Sequence, residues 1–453
     1  MALKKRHIIL LAVTAGLVVA CSQNDAFKAV VDDNPEVLIS FETFHEKSTK
    51  TAATGEISGP ANFTRDAAGN GGMGVWGFKG APADIPAPSA VSDYTIDVSN
   101  QDKFIPVFEN TQVWYEDVNE ALFRPKGFTY LMPQYWDRMA EYIFFAYAPY
   151  NNSKNAANQD LVEFDKTTGR FTVRDIESVQ DISKHNNGTG ESLQYGGSGA
   201  DNAYQAADAT DVTDYLMATY VTEQRYSGTN QVDKPGYDPE YTSPDDYRYQ
   251  TVGFTFMHML SKLTINIQAE DPGTDIKSIT VDSLTISNLP ESSADKVVYV
   301  QTSPTAPAGT YAPTNWSGKA LQVINTDATT NTYATSRTKL YILKGGTTQT
   351  PPTAQKQSFY YYVTPNKADN PATAEVEKYM LNIKYSVTHM NDATDVINIE
   401  PVDLSDYLTE MVQNRSYTLT ISISIAQERI VFTASIAAEW ATGAQQNLNI
   451  RPQ

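Results

Sequence analysis

Towards its end the chain alternates between apolar and polar side chains over two long stretches, and this feature limits the possible folds most strongly. Tyr417, Leu419, Ile421, Ile423 and Ile425 take every second position, Gln427-Glu428-Arg429 makes a turn, and Ile430, Phe432, Ala434, Ile436, Ala438 and Trp440 resume the period. Successive side chains of an extended strand point to opposite faces, so a period of two puts these residues on one side of a pleated sheet. The pair reads as a hairpin of long half-buried strands. A polar stretch from Ala441 to Gln446 then leads to a last short strand, Leu448 to Ile450.

The same period, in shorter pieces, recurs upstream. Val37 to Phe44 is a strand in which Val37, Ile39 and Phe41 share a face, followed from His45 to Gly72 by a stretch with no period, read as loop. Short aromatic strands are expected at Val75 to Phe78 and Thr111 to Tyr115. Tyr142 to Ala148 is nearly all apolar, as in a strand buried on both faces, and Pro149 ends it. Leu161 to Val173 reads as a strand pair around Thr168-Gly169, and Val212 to Tyr220 as a strand or a short helix. Glu223 to Tyr249 is crowded with Tyr, Asp, Pro and Gly and marks a boundary. Beyond it Val252, Phe254 and Phe256 alternate, then, after a turn near Ser261, Leu263, Ile265 and Ile267. Further strands are expected at 278–286, 296–301, 339–343, 358–363 and 378–387. No sustained helical stripe interrupts this pattern. The expected fold is all-β, with a first β-sandwich over 37–250, a second over 251–453, and long loops.

The first residues speak to location. Lys4, Lys5 and Arg6 precede an uncharged, mostly apolar run from Ile8 to Ala20, too short to span a bilayer, which reads as a signal peptide over 1–20. Leu17-Val18-Val19-Ala20-Cys21 resembles a bacterial lipobox, whose cysteine is acylated and becomes the mature N-terminus. Cys21 is the single cysteine of 453 residues, so it has no disulfide partner, and carrying lipid is its most economical use. Ser22 follows it where an Asp would favour inner-membrane retention, which implies the outer membrane, with 21–36 as a tether. With 53 acidic against 34 basic residues the chain would repel nucleic-acid phosphates. Nucleic acid is set aside as a partner.

Little points to catalysis. The histidines at 7, 45, 185, 258 and 389 are not spaced as metal ligands, and His258 reads as a packed or edge residue rather than a base. No phosphate-binding loop, dinucleotide fingerprint or nucleophile elbow is present. The glycine-rich run Gly188 to Gly199 has no lysine to meet a phosphate and reads as a loop. Acidic pairs such as Asp32-Asp33 and Asp245-Asp246 are ordinary on an acidic surface. The expectation is a protein that is not an enzyme and needs no metal or cofactor.

The order of segments resembles the fimbrillin family of the Bacteroidales. The shared features are the lipobox, the early Ile39-Ser40-Phe41 strand, Thr49-Lys50-Thr51, Val75-Trp76-Gly77-Phe78, Tyr135-Trp136 ahead of Phe144 to Pro149, Phe256 to Leu263, and a final hairpin ending in Glu439-Trp440. The resemblance implies two transthyretin-like β-sandwich domains in tandem. It also implies export as an outer-membrane lipoprotein through Cys21, then proteolytic removal of the first strand, carrying Val37, Ile39 and Phe41. A strand from another fimbrial subunit would fill the groove so opened. Lys50 and Arg65 are the candidate cleavage residues within 37–72, and Leu448 and Ile450 are the candidate donor positions. A stalk, tip or lipid-retaining anchor role each fits the pattern. A rival reading is a non-polymerising surface lipoprotein that binds glycans.

Overall fold

The computed structural model describes residues 38–44, 63–65, 69–81, 84–85, 95–116, 127–137, 140–181, 214–223, 251–270, 274–291, 296–304, 306–312, 315–324, 332–333, 340–344, 353–354, 356–367, 379–404, 408, 410–424, 429–437 and 444–450. Among them every regular element is a strand, and the all-β expectation holds.

The first sheet contains β1 (Ser40–Phe44), β2 (Met73–Gly80), β3 (Phe104–Glu116), β4 (Gly127–Thr129) and β5 (Glu141–Ala148). It is completed by β9 (Leu216–Ala218), β10 (Val221–Glu223) and β11 (Thr251–His258). Its order is β1-β11-β9-β5-β2-β3-β4, with β10 also beside β5. Every residue of β5 is buried, as its continuous apolar character predicts. The second sheet joins β6 (Val162–Asp165) and β7 (Arg170–Glu177) to β14 (Lys296–Ser303) and β15 (Ala306–Ala312), in the order β15-β14-β7-β6. Trp76, Phe78, Phe145 and Tyr147 of the first sheet pack with Phe164, Phe171, Val173 and Tyr299 of the second. The opposite face of the first sheet forms another core around Phe108, Phe144 and Phe254.

The third sheet runs β27-β26-β25-β12-β20-β8, where β8 is Val179–Asp181, β12 Ser261–Glu270, β20 Gln357–Val363, β25 Ser416–Ser424, β26 Arg429–Ala437 and β27 Ala444–Ile450. The fourth is built on β13 (Ile276–Glu291), flanked by β16 (Asn315–Ile324) and β18 (Leu340–Lys344). At its margins lie β17 (Thr332–Tyr333), β19 (Thr353–Ala354), β22 (Met380–His389) and β23 (Thr394–Asp403). A small ribbon pairs β21 (Asn366–Lys367) with β24 (Glu410–Met411). Leu263, Ile265 and Ile267 meet Ile279, Val281 and Leu381 in the core of these sheets, and Tyr417, Leu419, Ile421 and Ile423 all turn inward, as their alternation demands.

Sheet membership does not change at 250–251, where composition places the boundary. β11 belongs to the first sheet and β12 to the third, so the crossing comes at Met259–Leu260, just before the turn expected near Ser261. The β14–β15 hairpin, from the later half of the chain, pairs with β7, while β8 pairs with β20. A Tyr-, Asp- and Pro-rich composition lacks a strand period, but such a stretch is not always the point where a chain changes cores. Within the stretch expected to be a strand or short helix, Leu216–Ala218 form the strand β9.

Candidate functional site

β1 is short and lies at the edge of the first sheet. It runs parallel to β11, from Ser40 opposite Thr251 to Phe44 opposite Thr255. On its other side the contacts are sparse: the Ile39 N–H donates to the Gln134 carbonyl at 2.9 Å, the Tyr130 hydroxyl donates to the Ile39 carbonyl at 2.6 Å, and Leu38 bridges Tyr135. Burial of Tyr130 pushes its phenol above the ordinary range, so it remains a neutral donor.

Two side chains hold the strand down, since Ile39 is fully buried and Phe41 is 4% exposed. The Phe41 ring stacks on Phe254 with centroids 6.0 Å apart, and meets Phe108 at 5.3 Å, Tyr130 at 5.8 Å and Phe144 at 6.0 Å edge-on. The alternation read from the sequence thus places Ile39 and Phe41 together. Val37, the third member of that face, lies outside the described residues, as do Cys21 and Lys50. Burying two such side chains contributes on the order of 3–6 kcal/mol, an upper estimate because the unfolded chain already hides part of their surface. What lines the groove comes from β3, β5, β11 and Tyr130, so the cavity belongs to the remainder of the molecule.

Arg65 lies in a turn. Its backbone bridges Gly71, its Nε donates to the Gly69 carbonyl at 3.4 Å, and its guanidinium stands 4.9 Å over the Trp114 ring while remaining exposed. Gly71 has a φ of +91°, and a Cβ there would come within 2.3 Å of the Thr64 carbonyl oxygen, so only glycine closes this turn.

Sequence reasoning passed over Phe63, because a residue in a polar stretch with no period gives no strand signal. In the structure it is fully buried against Phe256 (5.4 Å) and Phe128 (5.9 Å), and its carbonyl accepts the Tyr115 N–H at 2.8 Å. The available signal was a single aromatic residue among Ala, Asn and Thr. Its position separates the two cleavage candidates: a cut after Lys50 leaves Phe63 in place, whereas a cut after Arg65 severs it together with β1.

At the far end of the chain, Leu448 and Ile450 belong to β27, which begins at Ala444, earlier than the expected short strand, and forms one edge of the third sheet. β27 pairs antiparallel with β26, placing Leu448 opposite Phe432 and Ile450 opposite Ile430. The side chains of β27 lie outside the described residues.

His258 fits the packed reading. Its Nδ1 is 2.8 Å from the buried Asp214 carboxylate and its backbone N–H donates to Asn414 Oδ1 at 3.2 Å, tying the end of β11 to the residues before β9. Among the described residues no group of three or more His, Cys, Asp or Glu is placed to hold a metal ion.

No family model and no curated protein matches this chain. Solved structures do. A fimbrial protein of Bacteroides vulgatus is similar at 15% identity, covering 89% of this chain and 99% of its own, with a TM-score of 0.45. The tip fimbrial protein Mfa3 of Porphyromonas gingivalis, with a C-terminal truncation, is similar at 10% identity over 90% of this chain and 100% of its own, with a TM-score of 0.27. The corresponding figures for the fimbrial anchor protein Mfa2 of the same organism are 12%, 90% and 99%, with a TM-score of 0.25. The structural neighbours of this chain are thus fimbrial proteins of the Bacteroidales, the group whose segment order its sequence resembles.

Proposed function

We propose that this protein is a structural subunit, stalk or tip, of a cell-surface fimbria. In this reading it is exported as an outer-membrane lipoprotein through Cys21, loses its first strand to a processing protease, and joins other fimbrial subunits by strand exchange. Two transthyretin-like sandwiches lie in tandem in this reading, it is not an enzyme, and it requires no cofactor.

The observation that carries this reading is β1. It is an edge strand whose two buried side chains fill a groove built by other strands, and residues 45–62 separate it from the next described part of the chain. Removing it uncovers the hydrogen-bonding edge of β11 beside the rings of Phe108, Phe144 and Phe254. An extended segment from another chain is the natural replacement, since backbone bonds supply affinity and alternating side chains fill the vacated pockets. Because donor and acceptor are different surfaces, the contact is head-to-tail and repetition yields a filament. The donor candidates Leu448 and Ile450 lie on an edge strand, so they would leave only β26 on being donated.

The test removes the parts in turn. Protein lacking residues 1–50 is expected to melt earlier as a monomer or to self-associate into heat-resistant polymers, and further removal of 441–453 is expected to block that association. If both truncated forms stay monomeric and melt like the precursor, β1 is not detachable. If the doubly truncated form polymerises as readily as the other, the C-terminal segment is not the donor. The mature N-terminus of surface material distinguishes the cuts. A start at Thr51 keeps Phe63 and should leave the subunit about 1.5–3 kcal/mol more stable than a start at Asp66, by the burial of one phenyl ring. Acylated Cys21 on the mature protein would instead mark the lipid-retaining anchor or a non-polymerising glycan binder.

A further inference from the structure

A cleft of about 1010 Å³ opens on the β3 side of the first sheet. Its walls are the turn at Gly69–Gly71, the first part of β3 from Pro106 to Gln112, the segment from Leu131 to Gln134, and the residues after β5 from Pro149 to Ser153. Small-molecule sites commonly measure roughly 300–1,000 Å³, so the space is sufficient for a ligand of several rings.

Its lining mixes polar and apolar side chains and carries no net charge. Gln112, Gln134, Asn151, Asn152, Ser153 and Tyr150 line it. Of the two charged residues on its wall, Arg65 lies over Trp114 and donates to the Gly69 carbonyl while staying an exposed cation, and Glu109 is paired with Lys166. One cation and one anion on the wall leave it with no net charge to favour an acidic or a basic ligand, and its amides and hydroxyls can both donate to and accept from a polyhydroxylated ligand.

The walls are braced from behind. The buried Tyr147 hydroxyl lies 2.9 Å from Asn110 Oδ1 and 2.8 Å from the Asn151 carbonyl, and accepts the Asn151 N–H at 3.0 Å. Gln112 Nε2 donates to the carbonyls of Gly69 and Gly71 at 2.7 and 2.8 Å. These bonds fix the cleft before any ligand arrives, which lowers the entropy cost of binding. Leu131 and Met132 are 74% and 75% exposed on one wall, offering apolar surface to the C–H faces of a sugar ring.

The same region is poorly suited to an added peptide strand. Pro106 cannot donate a backbone hydrogen bond, Asn110 has a φ of +44°, and the β2–β3 register shifts around Gly77, so this length of β3 is an irregular edge.

We propose that this cleft binds a neutral oligosaccharide, with the amides of Asn151 and Asn152 and the Oε1 of Gln112 on its hydroxyls and Leu131 and Met132 against its rings. The site is complete with β1 in place, so it does not depend on strand removal.

The test uses the full-length chain on an array of immobilised neutral and acidic glycans, followed by titration calorimetry with the strongest soluble neutral oligosaccharide. Neutral oligosaccharides are expected to bind, and Asn152→Ala and Met132→Ala each to weaken binding by about three- to tenfold, the effect of one hydrogen bond or one apolar contact, with melting unchanged. Val396→Ala, on the exposed β23, is expected to leave binding as it is. Failure of every neutral glycan to bind overturns the proposal, as does a preference for acidic ones. Binding that survives both cleft substitutions, or that falls equally with Val396→Ala, places the sugar elsewhere and also overturns it. So does loss of self-association in Met132→Ala without any glycan binding, which would make the wall a contact between copies.

Discussion

The parallel pairs β1–β11 and β12–β25 use the same backbone pattern in opposite settings. β12 and β25 keep nine residue pairs in register, from Lys262 opposite Ser416 to Glu270 opposite Ser424, and are flanked by β20 and β26. β1 and β11 keep five, and among the described residues β1 has no further strand beyond it in its sheet. Parallel strands normally sit inside a sheet between two neighbours, as β12 does. β1 draws its stability instead from Ile39 and Phe41, from a backbone bridge to the Gln134–Tyr135 segment and from the Tyr130 hydroxyl. Pairing direction alone therefore does not commit a strand to the core; the number of neighbours and the origin of the groove decide whether it can leave.

The largest expected effect comes from the plug itself. Phe41→Ala should destabilise the intact chain by about 3–5 kcal/mol, the range for truncating a buried aromatic residue, yet a form that begins at residue 51 lacks Phe41 and should melt like the Phe41→Ala chain or below it. Urea unfolding of the three proteins checks this, and a Phe41→Ala chain as stable as the intact one would erase the contrast between the two pairs.

Ile265→Ala, on the fully buried face of β12, should cost about 2–5 kcal/mol, and by the same amount in the intact chain and in the form beginning at 51. Equal losses would mean the inner pair is indifferent to β1; a loss that grows or vanishes on truncation would mean the two regions are coupled.

Gly71→Ala addresses the cleavage loop. Forcing a Cβ into a φ of +91°, against the Thr64 carbonyl, should cost about 1–3 kcal/mol locally. It should also speed limited trypsin cleavage at Arg65, read by N-terminal sequencing of the products. Cleavage at an unchanged rate would show that this turn does not protect the bond.

The smallest effect belongs to an exposed cluster far from β1 in sequence. His389 places Nδ1 2.8 Å from Asp275 and Nε2 2.9 Å from Asp395, and these hydrogen bonds, Asp275 first, raise its pKa above the ordinary value of 6.5. A raised pKa in the folded state stabilises the fold below the unfolded value, and that stability is lost as pH rises through the folded value. Melting temperature should accordingly fall slightly over that window above pH 6.5, and the fall should disappear in His389→Gln. An unchanged slope in the variant would assign it to other groups.

Much of the fold was legible because a strand with one buried face writes its period into the chain. Tyr417, Leu419, Ile421 and Ile423 could be assigned to a common inward face, Tyr142–Ala148 to a doubly buried strand, and Ile39 with Phe41 to one side of the first strand. Phe63 was not legible, since a single ring anchored from a loop has no period, and neither was the cleft, whose amides come from four separated segments.

By itself, then, the sequence determined the extended stretches that alternate strongly and which of their faces are apolar, for both follow from the local geometry of the pleat, while β15, β16 and β23 went unread. Only the tertiary structure decided partners: that β1 lies parallel to β11, that β14 and β15 cross to β7, and that β27 folds back on β26. The reason is that every strand offers the same backbone donors and acceptors, so local pattern cannot choose among them. The choice is made by which long-range pairing buries the most apolar surface at once, a property of the whole chain and not of any segment of it.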